Sequence, residues 1–264
     1  MKHLEFQYDI QLNLDRPVED HQFVLRCIPP SFPGQNVLSA QLQLDPPVPW
    51  NLQEDGFGNL IQSGALIEPH CRFHYSISGE AEIDILKREK EEANPVYRFA
   101  SGYTAVSKEM AAFLAELCLP GDEARRAELL LQAVHEKIQY TPGTTGVHTT
   151  AAQAFAEGRG VCQDYAHIYL ALARESGLTA RYCTGIHDGG PASHAWCEVH
   201  LNGMWVGFDP TAGKLTDDSY LRFNVGRDFA DCPLEKGVFR GITNQTQTIN
   251  VFCGQKTEGL KNDQ

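Results

Sequence analysis

The chain has no apolar run long enough to cross a bilayer, and no apolar core follows its charged start Met1-Lys2-His3. These gaps lead to the expectation of a cytoplasmic protein with no membrane partner. Basic residues are scarce: 22 Lys and Arg stand against 34 Asp and Glu, for a net charge of −12. Such a balance disfavours binding to a phosphate backbone, so no nucleic-acid partner is expected. No Cys-x-x-Cys pair occurs among the 8 cysteines, which weakens a zinc-ribbon reading. With no export signal, reduced thiols are expected rather than a disulfide framework. Repeats and low-complexity segments are also missing. What remains is an ordinary globular composition, 42% hydrophobic and 21% charged over 264 residues, enough for one large domain or two smaller ones.

The hydrophobic period changes along the chain. Every even position from Leu4 to Leu14 is apolar, a period-two strand signal. Phe23–Ile28, Val37–Leu44, Cys71–Ile77 and Ala81–Leu86 read as further strands, with a turn over Asp55-Gly56-Phe57-Gly58-Asn59. Residues 1–94 are therefore expected to form an all-β sandwich or partial barrel, and residues 95–264 a second, α+β domain. In the latter, Ser107, Asp122 and Thr150 are each placed to cap a helix, the last with Gln153 as a capping box. Arg181–Ile186 reads as a strand, and Gln245–Phe252 as the last one. Arg227–Arg240 has no clean period.

Gly158-Arg159-Gly160-Val161-Cys162 leads into Tyr165–Glu175, an Ala- and Leu-rich helical stretch. Cys162 thus falls at a helix start. Unpaired N–H groups and the positive end of the dipole there favour thiolate over thiol. Further on, Asn202-Gly203 between two strand-like runs predicts a type I′ hairpin. Its register pairs residues whose numbers sum to 405. Ala195, Cys197, Val199, Leu201, Met204, Val206 and Phe208 then share a core face. His194, Trp196, Glu198, His200, Trp205 and Asp209 share the other. His194 and Asp209 become diagonal neighbours, roughly 7–8 Å apart along the backbone, within side-chain reach.

A nucleophilic thiol needs an imidazole to hold its proton and a third group to set the tautomer. Cys162, His194 and Asp209 fit those roles. Tyr140 is the candidate second donor to an oxyanion, beside the backbone N–H of Cys162. Trp196 reads as packing or as the wall of a substrate cleft. His200 lies further from Asp209, His167 points elsewhere on its helix, and Asp164 reads as a local cap. A catalytic zinc site is the competing use of Cys, His and Asp, but no closely spaced ligand pair supports one.

Gly160-Val161-Cys162-Gln163-Asp164-Tyr165-Ala166, Leu178-Thr179-Ala180-Arg181-Tyr182, His194-Ala195-Trp196 and Asp209-Pro210-Thr211 resemble, in order and spacing, the transglutaminase-like superfamily. Gly226-Arg227-Asp228-Phe229-Ala230-Asp231 is similar to the tail of its bacterial members, and the β-rich first segment to the region that precedes their core. The resemblance implies a papain-like core of helices on an antiparallel sheet, with Cys162 as nucleophile, His194 as base and Asp209 orienting it. It implies acyl transfer from a peptide or protein amide through a thioester, with no cofactor, no calcium and no other metal. Hydrolysis is favoured over cross-linking because water is always at hand. A fold that binds or scaffolds without catalysis is the alternative. The sequence sets no oligomeric state.

Overall fold

The computed structural model describes residues 1–256. Its elements run β1 (Lys2–Leu25), β2 (Gln35–Asp45), β3 (Trp50–Glu54), β4 (Leu60–Leu66), β5 (His70–Ile83), α1 (Lys108–Glu116), α2 (Glu123–Lys137), β6 (Gln139–Tyr140), α3 (Ala151–Glu157), β7 (Arg159–Gly160), α4 (Cys162–Glu175), β8 (Ala180–His187), β9 (His194–Leu201), β10 (Met204–Asp209), β11 (Lys214–Leu215), β12 (Tyr220–Gly226), β13 (Glu235–Arg240) and β14 (Gln245–Gln255). The result is the α+β architecture expected: helices packed on one antiparallel sheet, beside a largely separate β layer.

The β layer is a half-barrel strung on β1. The even positions Leu4 to Leu14 all point inward and are buried. The sequence expectation of separate strands at Leu4–Leu14 and Phe23–Ile28 is corrected here, since one 24-residue strand serves both. Its first half pairs with β5 and β14, its last residues with β4 and β13. The register slips between Asn13 and Val18, and that unpaired stretch accommodates Pro17, which has no N–H for a ladder. The boundary at residues 94 and 95 also misses a crossing. The last two strands, β13 and β14, return to pair with β1. Pairing over more than 200 residues of chain leaves no local signal to read.

The second sheet runs β11-β10-β9-β8-β12. Asn202 (φ 53) and Gly203 (φ 86) make the predicted tight turn. The register follows the sum of 405, from Leu201 opposite Met204 to Cys197 opposite Phe208. One face packs on the helices, chiefly α4, whose Ile168, Tyr169, Leu170 and Leu172 are all fully buried. At about 1.5–3 kcal/mol for each large side chain, α4 is the most strongly anchored helix.

The other face of this sheet is buried too, against the β layer, despite its charged residues. Glu198 accepts hydrogen bonds from Arg181 (2.7 Å) and Arg222 (2.8 Å), so its charge is compensated twice. Burial by itself would push the Glu198 carboxyl up; Arg222 and Arg181 outweigh it and hold it down at about 2. Glu198→Gln removes the charge and leaves two buried guanidiniums facing each other. It should cost about 3–5 kcal/mol in urea unfolding at pH 7. A carboxyl depressed in the fold stabilises above its unfolded value and stops doing so as pH falls through its folded one. The difference between the two proteins should therefore shrink as pH drops from about 4.5 towards 2, and a constant difference would rule this account out.

Candidate active site

The site starts with the turn into α4. Gly158 ends α3 in the left-handed conformation (φ 67). Gly160 faces Asp164 so closely that an added Cβ would lie 2.6 Å from the Asp164 side chain. Only glycine leaves room there. Asp164 uses the space to accept from the Val161 N–H (2.8 Å) and the Thr145 hydroxyl (2.6 Å), which fixes the first turn of α4. Its role is the local cap read from the sequence. Cys162 is the first residue of the helix and is partly exposed. Its N–H has no acceptor within the helix.

His194 opens β9 and Asp209 closes β10, and the hairpin register brings them together. His194 Nε2 lies 2.7 Å from Asp209 Oδ2. Asp209 is fully buried and both of its oxygens are engaged. Tyr220 donates its hydroxyl to Oδ2 (2.8 Å), and the Thr211 and Ala212 N–H groups reach Oδ1 at 2.9 and 3.1 Å. Against burial, the hydrogen bond from His194 and these other donors hold the Asp209 carboxyl below its ordinary value. Burial alone would push the imidazole down, but the hydrogen bond to Asp209 and the neighbouring Cys162 side chain raise it to about 10. With Nε2 committed to Asp209, Nδ1 is the nitrogen left for the sulfur. Cys162 and His194 line the same cavity.

That cavity encloses about 420 Å³ between the two layers of the molecule. Helix α4 supplies Cys162 and Gln163, and the second sheet Tyr182 and His194; the β layer supplies Tyr8, Tyr75 and the inward residues of β13 and β14. These β residues were not read from the sequence. Nor was Tyr220, whose hydroxyl contact with Asp209 crosses the sheet from β12 and leaves no spacing signal. Tyr220→Phe should lower catalysis by about tenfold, the usual loss for one hydrogen bond to a charged group. An unchanged kcat/KM would show that Tyr220 only packs.

The remaining candidates lie elsewhere. Trp196 is buried at 2% exposure, stacked behind His194 and against Tyr220, and does not line the cavity. It packs, because the face it occupies is covered by the β layer. Tyr140 is 54% exposed, on β6 beside the strand that leads into Cys162, and also lies off the cavity lining. His200 contacts the Glu91 carbonyl at 2.8 Å, away from the site. His167 is buried in the helical core, where burial pushes its pKa down to about 3, and accepts from the Phe229 N–H. Among the described residues no group of three or more His, Cys, Asp or Glu side chains is placed to hold a metal ion, and no helix is long and apolar enough to cross a membrane.

Residues 112–210 match the core of the transglutaminase-like superfamily, and residues 4–82 match the bacterial transglutaminase-like N-terminal region. An uncharacterised protein of Mycobacterium leprae is 28% identical over 251 residues, covering 86% of this chain and 90% of that protein. One of Mycobacterium tuberculosis is 26% identical over 254 residues, covering 81% and 80%. Among solved structures, a candidate cysteine protease from Cytophaga hutchinsonii superposes with a TM-score of 0.78 at 21% identity, over 98% of this chain and 92% of that one, a likeness of fold. The two family matches follow each other along the chain, which carries a transglutaminase-like core preceded by the bacterial transglutaminase-like N-terminal region.

Proposed function

We propose that the protein is a cysteine-dependent hydrolase of peptide or protein amide bonds that works through a thioester at Cys162. The observation that carries this is the His194–Asp209 hydrogen bond, with His194 and Cys162 lining one cavity large enough for several substrate side chains. In this reading the Cys162 sulfur attacks the amide carbonyl while His194 holds the proton that left it. The developing oxyanion meets the unpaired N–H at the start of α4 and the positive end of its dipole. His194 Nδ1 then gives its proton to the departing amine, and the C–N bond breaks. Water, deprotonated by the same nitrogen, adds to the thioester and frees the acid and the thiol. Asp209 keeps Nε2 protonated throughout, which leaves Nδ1 to exchange the travelling proton.

The test is incubation with a diverse peptide library and mass readout for three products. Chain cleavage or deamidation supports hydrolysis. Mass gain from peptide joining would replace it with amine transfer. A library left unchanged, with no acyl adduct on Cys162 after rapid quench, would favour a fold that binds without turning over.

A further inference from the structure

Besides Cys162 and His194, the cavity carries a carboxyl that the proposed mechanism does not use. Glu235, the first residue of β13, lines it and is the one carboxylate that does so among the described residues. Its Oε2 accepts from the Gln247 side chain (2.8 Å) and the Tyr75 hydroxyl (3.3 Å). Among the described residues nothing bonds Oε1, no Lys or Arg lines the cavity, and no cation lies within ion-pair distance of Glu235. His21, which also lines the cavity, is pushed down to about 4 by burial and by the stacked His70, so it brings no charge. Burial with no cation nearby also raises the Glu235 carboxyl.

A carboxylate held by two neutral donors, with one oxygen free in a half-enclosed cavity, lacks only a positive partner. The walls beside it are apolar and aromatic: Leu12, Tyr8, Phe239 and Ile249. An aliphatic stem packs against such walls while its cationic head reaches Glu235. The net charge of −12 draws basic peptides to the molecule as well. We propose that Glu235, set by Tyr75 and Gln247, forms a subsite that receives a lysine or arginine side chain of the peptide substrate. The inference rests on the hydrolase reading for calling the ligand a substrate, but the binding it describes does not need turnover.

The Cys162→Ala protein, which holds peptides without cleaving them, gives the test. Fluorescent pentapeptide pools are used in which one position at a time is fixed as Lys, Arg, norleucine or Glu. Fluorescence anisotropy should show Lys and Arg pools binding at least about tenfold tighter than norleucine at one position, with Glu weakest there. Adding Glu235→Gln should bring the Lys-to-norleucine ratio to within about twofold, with the melting temperature checked to show the fold intact. Equal binding of Lys and norleucine pools at every position overturns the proposal, and so does a lysine preference that survives Glu235→Gln. Failure of the hydrolase reading looks different: the preference is seen, yet the unsubstituted protein forms no acyl adduct at Cys162.

Discussion

On the hydrolase reading, Cys162→Ala should abolish hydrolysis, with an expected loss of about 10⁴- to 10⁶-fold, while the melting temperature should stay within a few degrees. On the rate side that is about 5.5–8 kcal/mol, far more than any packing change at the position supplies. The side chain is partly exposed at the cavity, so its removal leaves no sealed void in the core. Its partners survive the change, because Asp209 keeps Tyr220, Thr211 and Ala212 and continues to hold His194. No other cysteine substitutes for it. Cys183, Cys197 and Cys232 are fully buried and pushed well above the ordinary thiol range by burial, and Cys27 and Cys253 are raised to about 12 for the same reason. Cys71 and Cys118 are exposed and will react with iodoacetamide, so labelling has to be resolved by peptide mapping. Turnover within tenfold of the unsubstituted protein would remove Cys162 from the mechanism.

What the sequence made readable was local. Ser107, Asp122 and Thr150 cap their helices because capping depends on residues three apart, which a sequence displays. The hairpin was legible for the same reason. An Asn-Gly turn fixes the pairing of everything on either side, and that pairing placed His194 beside Asp209 before any coordinates did. The other wall of the cavity was not legible. β13 is an edge strand with most of its residues exposed, so it carries no alternating pattern, and its partner β1 lies at the far end of the chain. Glu235 and Tyr75 meet only through that pairing. For Trp196 the sequence left packing and a cleft wall both open, for a related reason. Its face carries Glu198, His200 and Asp209 and reads as solvent- or cleft-facing, but the paired arginines of Glu198 allow the face to be buried. Charge on a strand marks exposure only when no partner is at hand, and here Arg181 comes from the neighbouring strand.

Asp209→Asn should lower kcat by about 10³- to 10⁴-fold and leave the fold standing. The amide cannot satisfy all four of its neighbours. With its oxygen at the Oδ1 position it still accepts from the Thr211 and Ala212 N–H groups, but its NH₂ then faces His194 Nε2 and the Tyr220 hydroxyl. Nε2 must become an acceptor, so the neutral ring carries its proton on Nδ1, towards the sulfur, where it cannot take another. Turned the other way, the NH₂ points at two backbone donors, which costs hydrogen bonds the fold relies on. The first orientation is therefore the stable one, and it is the inactive one. The change also removes the charge that keeps His194 protonated. A histidine raised from 6.5 to about 10 in the fold contributes stability that is complete below its unfolded value and disappears as pH climbs through the folded one. The melting-temperature gap between the unsubstituted protein and the Asp209→Asn variant should accordingly be widest near about pH 6 and close as pH rises past about 10, and the alkaline limb of kcat should move to lower pH in the variant. Near-normal turnover, or a gap that does not change with pH, would mean that Asp209 neither sets the tautomer nor sustains the charge on His194.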